Sequence, residues 1–88
     1  MNIYIENVPL STTEEELRQL FIPYGTVESI FFVKDKKSGM PKGTAYVVMP
    51  FDVEAEQAIA GLEGIEYCGQ HLQVTQADAT DFPSDDYW

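Results

Sequence analysis

The hydrophobic pattern of this chain switches repeatedly between a period of two and a period of 3.6 residues, and the order of those switches restricts its fold more than any other feature. Residues 2–6, Asn-Ile-Tyr-Ile-Glu, alternate with period two and read as a strand that Asn7-Val8-Pro9 ends. Thr13, with Glu16 three residues later, predicts a capping box, and Glu14, Glu15 and Glu16 favour the positive end of a helix dipole. Leu17, Leu20, Phe21 and Tyr24 then share one helical face, and Pro23 and Gly25 mark its end. Residues 26–34, with the run Ile30-Phe31-Phe32-Val33, predict a second strand. A basic, turn-rich loop follows at 36–41, and Thr44 to Met49 predicts a third strand. Asp52 is expected to cap a second helix with an apolar stripe of Ala55, Ala58, Ile59 and Leu62, closed by Gly61 and Gly64. A small hairpin is expected over 65–71, and Leu72-Gln73-Val74-Thr75 reads as the last strand.

Strand, helix, strand, strand, helix, strand is the split βαβ order. It predicts an α+β, ferredoxin-like βαββαβ fold: a four-stranded antiparallel sheet with two helices on one face. Each helix has a single apolar stripe, so the other face of the sheet is left for solvent or a partner. With 88 residues there is room for one core. The domain is placed at residues 1–78, with an acidic, flexible tail at 79–88. Cys68 is the single cysteine, which excludes an internal disulfide and suits a reducing, cytoplasmic setting. Neither a signal peptide nor an apolar run of the roughly 18 residues that suggest a membrane span is expected.

Charge is the unusual property. Fifteen acidic residues against five basic ones give a net charge of −10, whereas a nucleic-acid binder is ordinarily basic. Lys34, Lys36, Lys37 and Lys42 nevertheless fall in one short stretch with a single acid, Asp35. That loop carries +3 and leaves −13 on the rest of the chain. It is the natural place for a phosphate contact.

Two stretches carry a family resemblance. Ile3-Tyr4-Ile5-Glu6-Asn7-Val8 resembles the six-residue ribonucleoprotein motif of RNA-recognition-motif domains, and Lys42-Gly43-Thr44-Ala45-Tyr46-Val47-Val48-Met49 resembles the eight-residue one. Tyr24-Gly25, Ser38-Gly39 and Gly69 with Leu72 and Val74 are also similar, so the resemblance covers residues 2–77. In its short form the chain resembles small single-domain bacterial RNA-binding proteins. The resemblance implies that bases of single-stranded RNA stack on aromatics of the two central strands. It assigns stacking to Tyr4 and Tyr46 and a phosphate contact to Lys42. Thr44 stands where the longer motif normally has an aromatic, which removes one stacking platform.

Alternation completes the free face. With Ile3, Ile5, Ala45, Val47, Ile30 and Phe32 pointing inward, the outward set is Tyr4, Glu6, Phe31, Val33, Thr44, Tyr46, Val48, Gln73 and Thr75. Phe31 is a candidate to replace part of the stacking lost at Thr44, and Lys37 joins Lys42 as a candidate phosphate contact. So apolar a face marks an interaction site. Two functions fit it: weak binding of short single-stranded RNA, or a protein-interaction module that takes a basic partner or a second copy.

Other chemistries find no support. Cys68 and His71 are two potential ligands, too few for a zinc site, so no metal or cofactor is expected. There is no nucleophile–base arrangement, phosphate-cradling glycine loop or calcium loop, so no enzymatic activity is expected. In the tail, Asp81, Asp85 and Asp86 are interleaved with Phe82, Tyr87 and Trp88. That composition reads either as a solubilising disordered segment or as aromatics that fold over the free sheet face and compete with RNA.

Overall fold

The structure is a computed structural model that describes residues 1–34, 37–39 and 41–77, with only the backbone described at Pro41 and Lys42. Strand β1 spans Asn2–Glu6, helix α1 Glu14–Phe21, a 3-10 turn Ile22–Tyr24, β2 Ser29–Lys34 and β3 Pro41–Val48. Helix α2 spans Asp52–Leu62, followed by β4 Glu66–Tyr67, β5 Gln70–His71 and β6 Gln73–Ala77. The main sheet has the order β2-β3-β1-β6 with every neighbouring pair antiparallel. The short β4 and β5 pair with each other as the hairpin expected over 65–71. This is the ferredoxin-like α+β arrangement.

The start of α1 follows directly from its sequence. Glu16 N–H donates to Thr13 Oγ1 at 3.2 Å, and Thr13 N–H donates to Glu16 Oε1 at 2.9 Å. The reciprocal bonds satisfy two amides that the first helical turn leaves without partners. Helix α2 starts differently from expectation. Phe51, in extended conformation, holds the capping position without a side-chain bond, and Asp52 is the first helical residue. Asp52 therefore acts through its charge at the positive end of the dipole, not as a cap. Nor does Gly61 close α2; it lies within the helix. A Cβ there would overlap the Tyr24 ring, so glycine is what lets the 3-10 turn pack against the helix. The tight turn of the β4–β5 hairpin holds Cys68 at φ 51° and Gly69 at φ 83°, the left-handed pair that a type I′ two-residue turn requires.

Strand boundaries shift at two places. β2 begins at Ser29, later than the residue 26 start suggested by its composition, and β3 begins at Pro41, earlier than Thr44. Lys34 pairs with Pro41 beyond an irregularity between Phe32 and Lys34, which extends the ladder toward the loop. Pro41 takes the first position of the strand, where a missing N–H costs least.

Both helices cover one side of the sheet. Ile3, Ile5, Leu17, Phe21, Val47, Met49, Leu72 and Val74 are the largest fully buried side chains, joined there by Ala55, Ala58 and Leu62 of α2. The exposed edge of β6 is guarded by Glu63, whose Oε2 accepts the Val74 N–H at 2.7 Å. A paired amide is one fewer free donor on an edge that invites another strand. No helix among the described residues is long and apolar enough to cross a membrane. The acidic tail and Lys36 lie outside the described residues.

Candidate nucleic-acid interface

Three aromatic residues stand in cross-strand register on the helix-free side. Phe31 of β2 is opposite Tyr46 of β3, Tyr46 is opposite Tyr4 of β1, and Tyr4 is opposite Thr75 of β6. Alternation along each strand sends all of these side chains to one face, since their neighbours Ile3, Ile5, Ala45, Val47 and Val74 fill the core. The Tyr4 and Tyr46 rings are 5.0 Å apart between centroids and tilted by 42°. That geometry is within the favourable range for aromatic pairs and holds the two rings in a fixed relation.

Exposure separates the members of the row. Tyr4 and Phe31 are half-buried, whereas Tyr46 keeps only 5% of its surface and Val33 only 8%. Both point to the expected side, but neither is open to solvent as its pattern suggested. Alternation dictates the face a residue takes and is silent on what lies over it. The phenol of Tyr4 titrates above its ordinary value, first because of burial and then because of the nearby Glu6 carboxylate. Glu6 is thus close enough to place negative charge beside the ring.

Thr44, Glu6 and Gln73 line a recess of about 550 Å³ at one end of the row, together with Asn7, Gly43 and Gln70. Gln70 Nε2 donates to the Asn7 carbonyl at 2.9 Å, and Asn7 Nδ2 donates to the His71 carbonyl at 2.9 Å, so these amides tie the hairpin to the end of β1. Asn7 adopts φ 63°, a left-handed conformation that its short polar side chain tolerates. Sequence reading took Asn7 as a strand stop and gave Gln70 no part. Their bond joins residues 63 apart, and no local pattern announces such a pair. A second, more apolar recess of about 230 Å³ lies beside the first, lined by Val8, Leu10, Phe32, Val33 and Thr44 among others. Lys37 is exposed in the β2–β3 connection, and the backbone of Lys42 belongs to β3. The Lys42 side chain lies outside the described residues. Among the described residues, no three His, Cys, Asp or Glu side chains gather where they could hold a metal ion.

The family model described as RNA recognition motif matches residues 3–73. The chain belongs to the RNA-recognition-motif family. Among relatives of this RNA-recognition-motif chain, RbpF of Nostoc sp. strain PCC 7120, named as an RNA-binding protein, is 36% identical over 77 residues. The match covers 88% of this chain and 73% of that one. A crystal structure of RNA binding protein PG1 is 35% identical with a TM-score of 0.82, covering 88% of this chain and 93% of that one. The Sxl-lethal protein in complex with RNA is 33% identical with a TM-score of 0.78, over 86% of this chain and 47% of that one. The RNA-recognition-motif fold accounts for the positions of both ribonucleoprotein motifs on the central strands β1 and β3.

Proposed function

We propose that this chain binds short single-stranded RNA on the helix-free face of its sheet. The observation that carries the proposal is the row Phe31–Tyr46–Tyr4 in direct register across three adjacent strands. Strands lie about 4.8 Å apart, which places flat apolar surfaces at intervals a splayed single strand can follow. In this reading Tyr4 and Tyr46 stack bases, and Phe31 supplies the surface missing at Thr44. Lys37 and Lys42 contact phosphate, and Thr44 lines the recess that meets a base edge. The sources of support are the family membership, the relatives named as RNA-binding proteins and the RNA complex of a related fold.

Magnitudes restrict the affinity. Stacking contributes about 1–3 kcal/mol per base, so two bases give roughly 2–6 kcal/mol before ordering costs. Millimolar to micromolar binding requires about 4–8 kcal/mol. With a net charge of −10 opposing the phosphates, weak binding is the expected regime. A cytoplasmic location accords with the exposed, unpaired thiol of Cys68.

Fluorescence anisotropy with a labelled mixed-sequence RNA of about six nucleotides, single-stranded and then annealed to its complement, tests the proposal. Saturable binding of the single strand, lost on annealing, is expected because a duplex hides the base faces that stack. Equal responses to both forms would contradict stacking, and no response at millimolar protein would contradict RNA binding.

A further inference from the structure

A carboxylate stands on the face that the RNA proposal assigns to a polyanion. Glu6 is the cross-strand partner of Gln73 on β6, and the pairing of Ile5 with Ala45 brings Thr44 of β3 alongside its other flank. Thr44, Glu6 and Gln73 therefore form a row about 7 Å along the strands from Tyr46, Tyr4 and Thr75, on the same face. All three line the polar recess, and Glu6 and Gln73 are exposed. A carboxylate that did nothing more than sit in solvent here would repel phosphate and weaken every RNA alike. We propose that Glu6 instead selects the base: its carboxylate accepts N1–H and N2–H of a guanine stacked on Tyr4, and Gln73 donates to O6. This selection rests on the RNA-binding reading of the same face.

Placement supports this first. The Tyr4 phenol is raised by burial and then by the Glu6 carboxylate, so the negative charge lies near the rim of the ring that would carry the base. A planar base resting on Tyr4 extends past that rim, and its edge faces the row of Thr44, Glu6 and Gln73. Availability supports it next. Gln70 Nε2 donates to the Asn7 carbonyl at 2.9 Å and to Asn7 Oδ1 at 3.2 Å, and Asn7 Nδ2 donates to the His71 carbonyl at 2.9 Å. These two amides are committed to the wall of the recess, which leaves the base edge to Glu6 and Gln73.

The donor pattern of the bases decides which of them fits. An ionised carboxylate accepts and never donates, and it offers two oxygens side by side. Along its Watson–Crick edge guanine presents two adjacent donors, N2–H and N1–H, followed by the O6 acceptor. Uracil presents one donor, N3–H, between two carbonyl oxygens, so the second carboxylate oxygen would face an acceptor. Adenine and cytosine each offer one amino donor beside a ring nitrogen that accepts. Guanine alone among the four takes both oxygens, in a charge-assisted bidentate pair. Gln73, beside Glu6 on the neighbouring strand, carries the amide donor that O6 needs. Discrimination against uracil then comes from repulsion as well as from the bonds it fails to make.

The test uses the full chain and its Glu6→Gln variant. The probes are labelled hexanucleotides of five uridines and one guanosine or inosine, with hexauridine as the reference. Anisotropy titrations of the parent chain at one salt concentration are expected to show the guanosine probe bound about tenfold more tightly than hexauridine. Inosine lacks only the 2-amino group of guanine, so most of that advantage is expected to disappear with it. Removing one negative charge strengthens the binding of every RNA, so the ratio between probes, not the affinity itself, reports base selection. In Glu6→Gln the ratio of guanosine probe to hexauridine is expected to fall toward unity. Equal affinities of the parent chain for these two probes would overturn the selection and leave RNA binding in place. Inosine bound as tightly as guanosine, or a guanosine preference unchanged in Glu6→Gln, would overturn the bidentate contact. No saturable binding of any probe would overturn the RNA reading and the selection together.

Discussion

Tyr4 and Tyr46 are direct partners across β1 and β3, and their rings lean together at 42° with centroids 5.0 Å apart. A base stacked on Tyr4 therefore meets a platform already held in place, so little order is gained on binding. Replacing Tyr4 by leucine keeps an apolar side chain on the strand but removes the flat surface. RNA affinity is expected to fall about tenfold, within the range for loss of one stacked base. Urea unfolding of the variant should show a loss of about 0.5–1.5 kcal/mol, that of the ring pair with Tyr46, because Tyr4 is outside the main core but packs against the smaller cluster on its own face. Anisotropy titration and a urea curve check the two halves separately.

The raised Tyr4 phenol makes a signed prediction about pH. Burial is the first cause and the Glu6 carboxylate the second, and both disfavour the phenolate. The folded chain thus holds the Tyr4 proton more tightly than the unfolded chain. This contribution to stability is complete below the ordinary tyrosine value near 10. It is lost as pH climbs from there through the higher folded value. NMR titration of the Tyr4 ring carbon reports the value directly. Glu6→Gln should bring it part of the way back, and a shift that survives unchanged would leave burial as its whole cause.

Glu63 makes a prediction about edge protection. Its carboxylate takes the Val74 N–H at 2.7 Å in a partly buried position. Glu63→Ala leaves that donor without its charged acceptor and is expected to cost about 1–2 kcal/mol in urea unfolding. Glu63→Gln, which keeps an oxygen in reach, should recover most of it.

Gly61→Ala offers two opposed effects. Alanine gains up to about 1 kcal/mol of helix propensity over glycine. The added methyl, however, overlaps the Tyr24 ring, and overpacking costs about 1–3 kcal/mol. A net loss of stability is expected, reversed when Tyr24→Leu is introduced with it. Thermal melts of the single and double variants measure the balance.

These cases also indicate what could be read from the sequence. The Thr13–Glu16 capping box was legible because both partners sit within one turn and each needs the other. The faces of Tyr4, Tyr46 and Phe31 were legible because strand alternation is strict. Asp52 was misplaced by one residue: composition favours a carboxylate near a helix start, but the extended backbone that defines the cap falls at Phe51. The role of Gly61 was hidden because its reason is the Tyr24 ring, a long way off in sequence. The early start of β3 depends on Lys34 pairing with Pro41 past an irregularity, a relation between two strands that neither shows alone. Burial of Tyr46 was hidden for the same kind of reason, since periodicity says which way a side chain points and nothing about its cover.

An amide-shift NMR titration of the full chain shows whether RNA binds the aromatic row of the helix-free face. The titrant is a mixed-sequence single-stranded RNA of about six nucleotides at low salt, where the phosphate contribution is strongest. Saturable shifts concentrated at Tyr4, Phe31, Thr44, Tyr46 and Lys37 are predicted, weakening with salt along a slope of about −1.4 to −2.1 for two or three phosphate contacts. Shifts that instead gather on α1 and α2, or a flat response at millimolar RNA, would contradict the account.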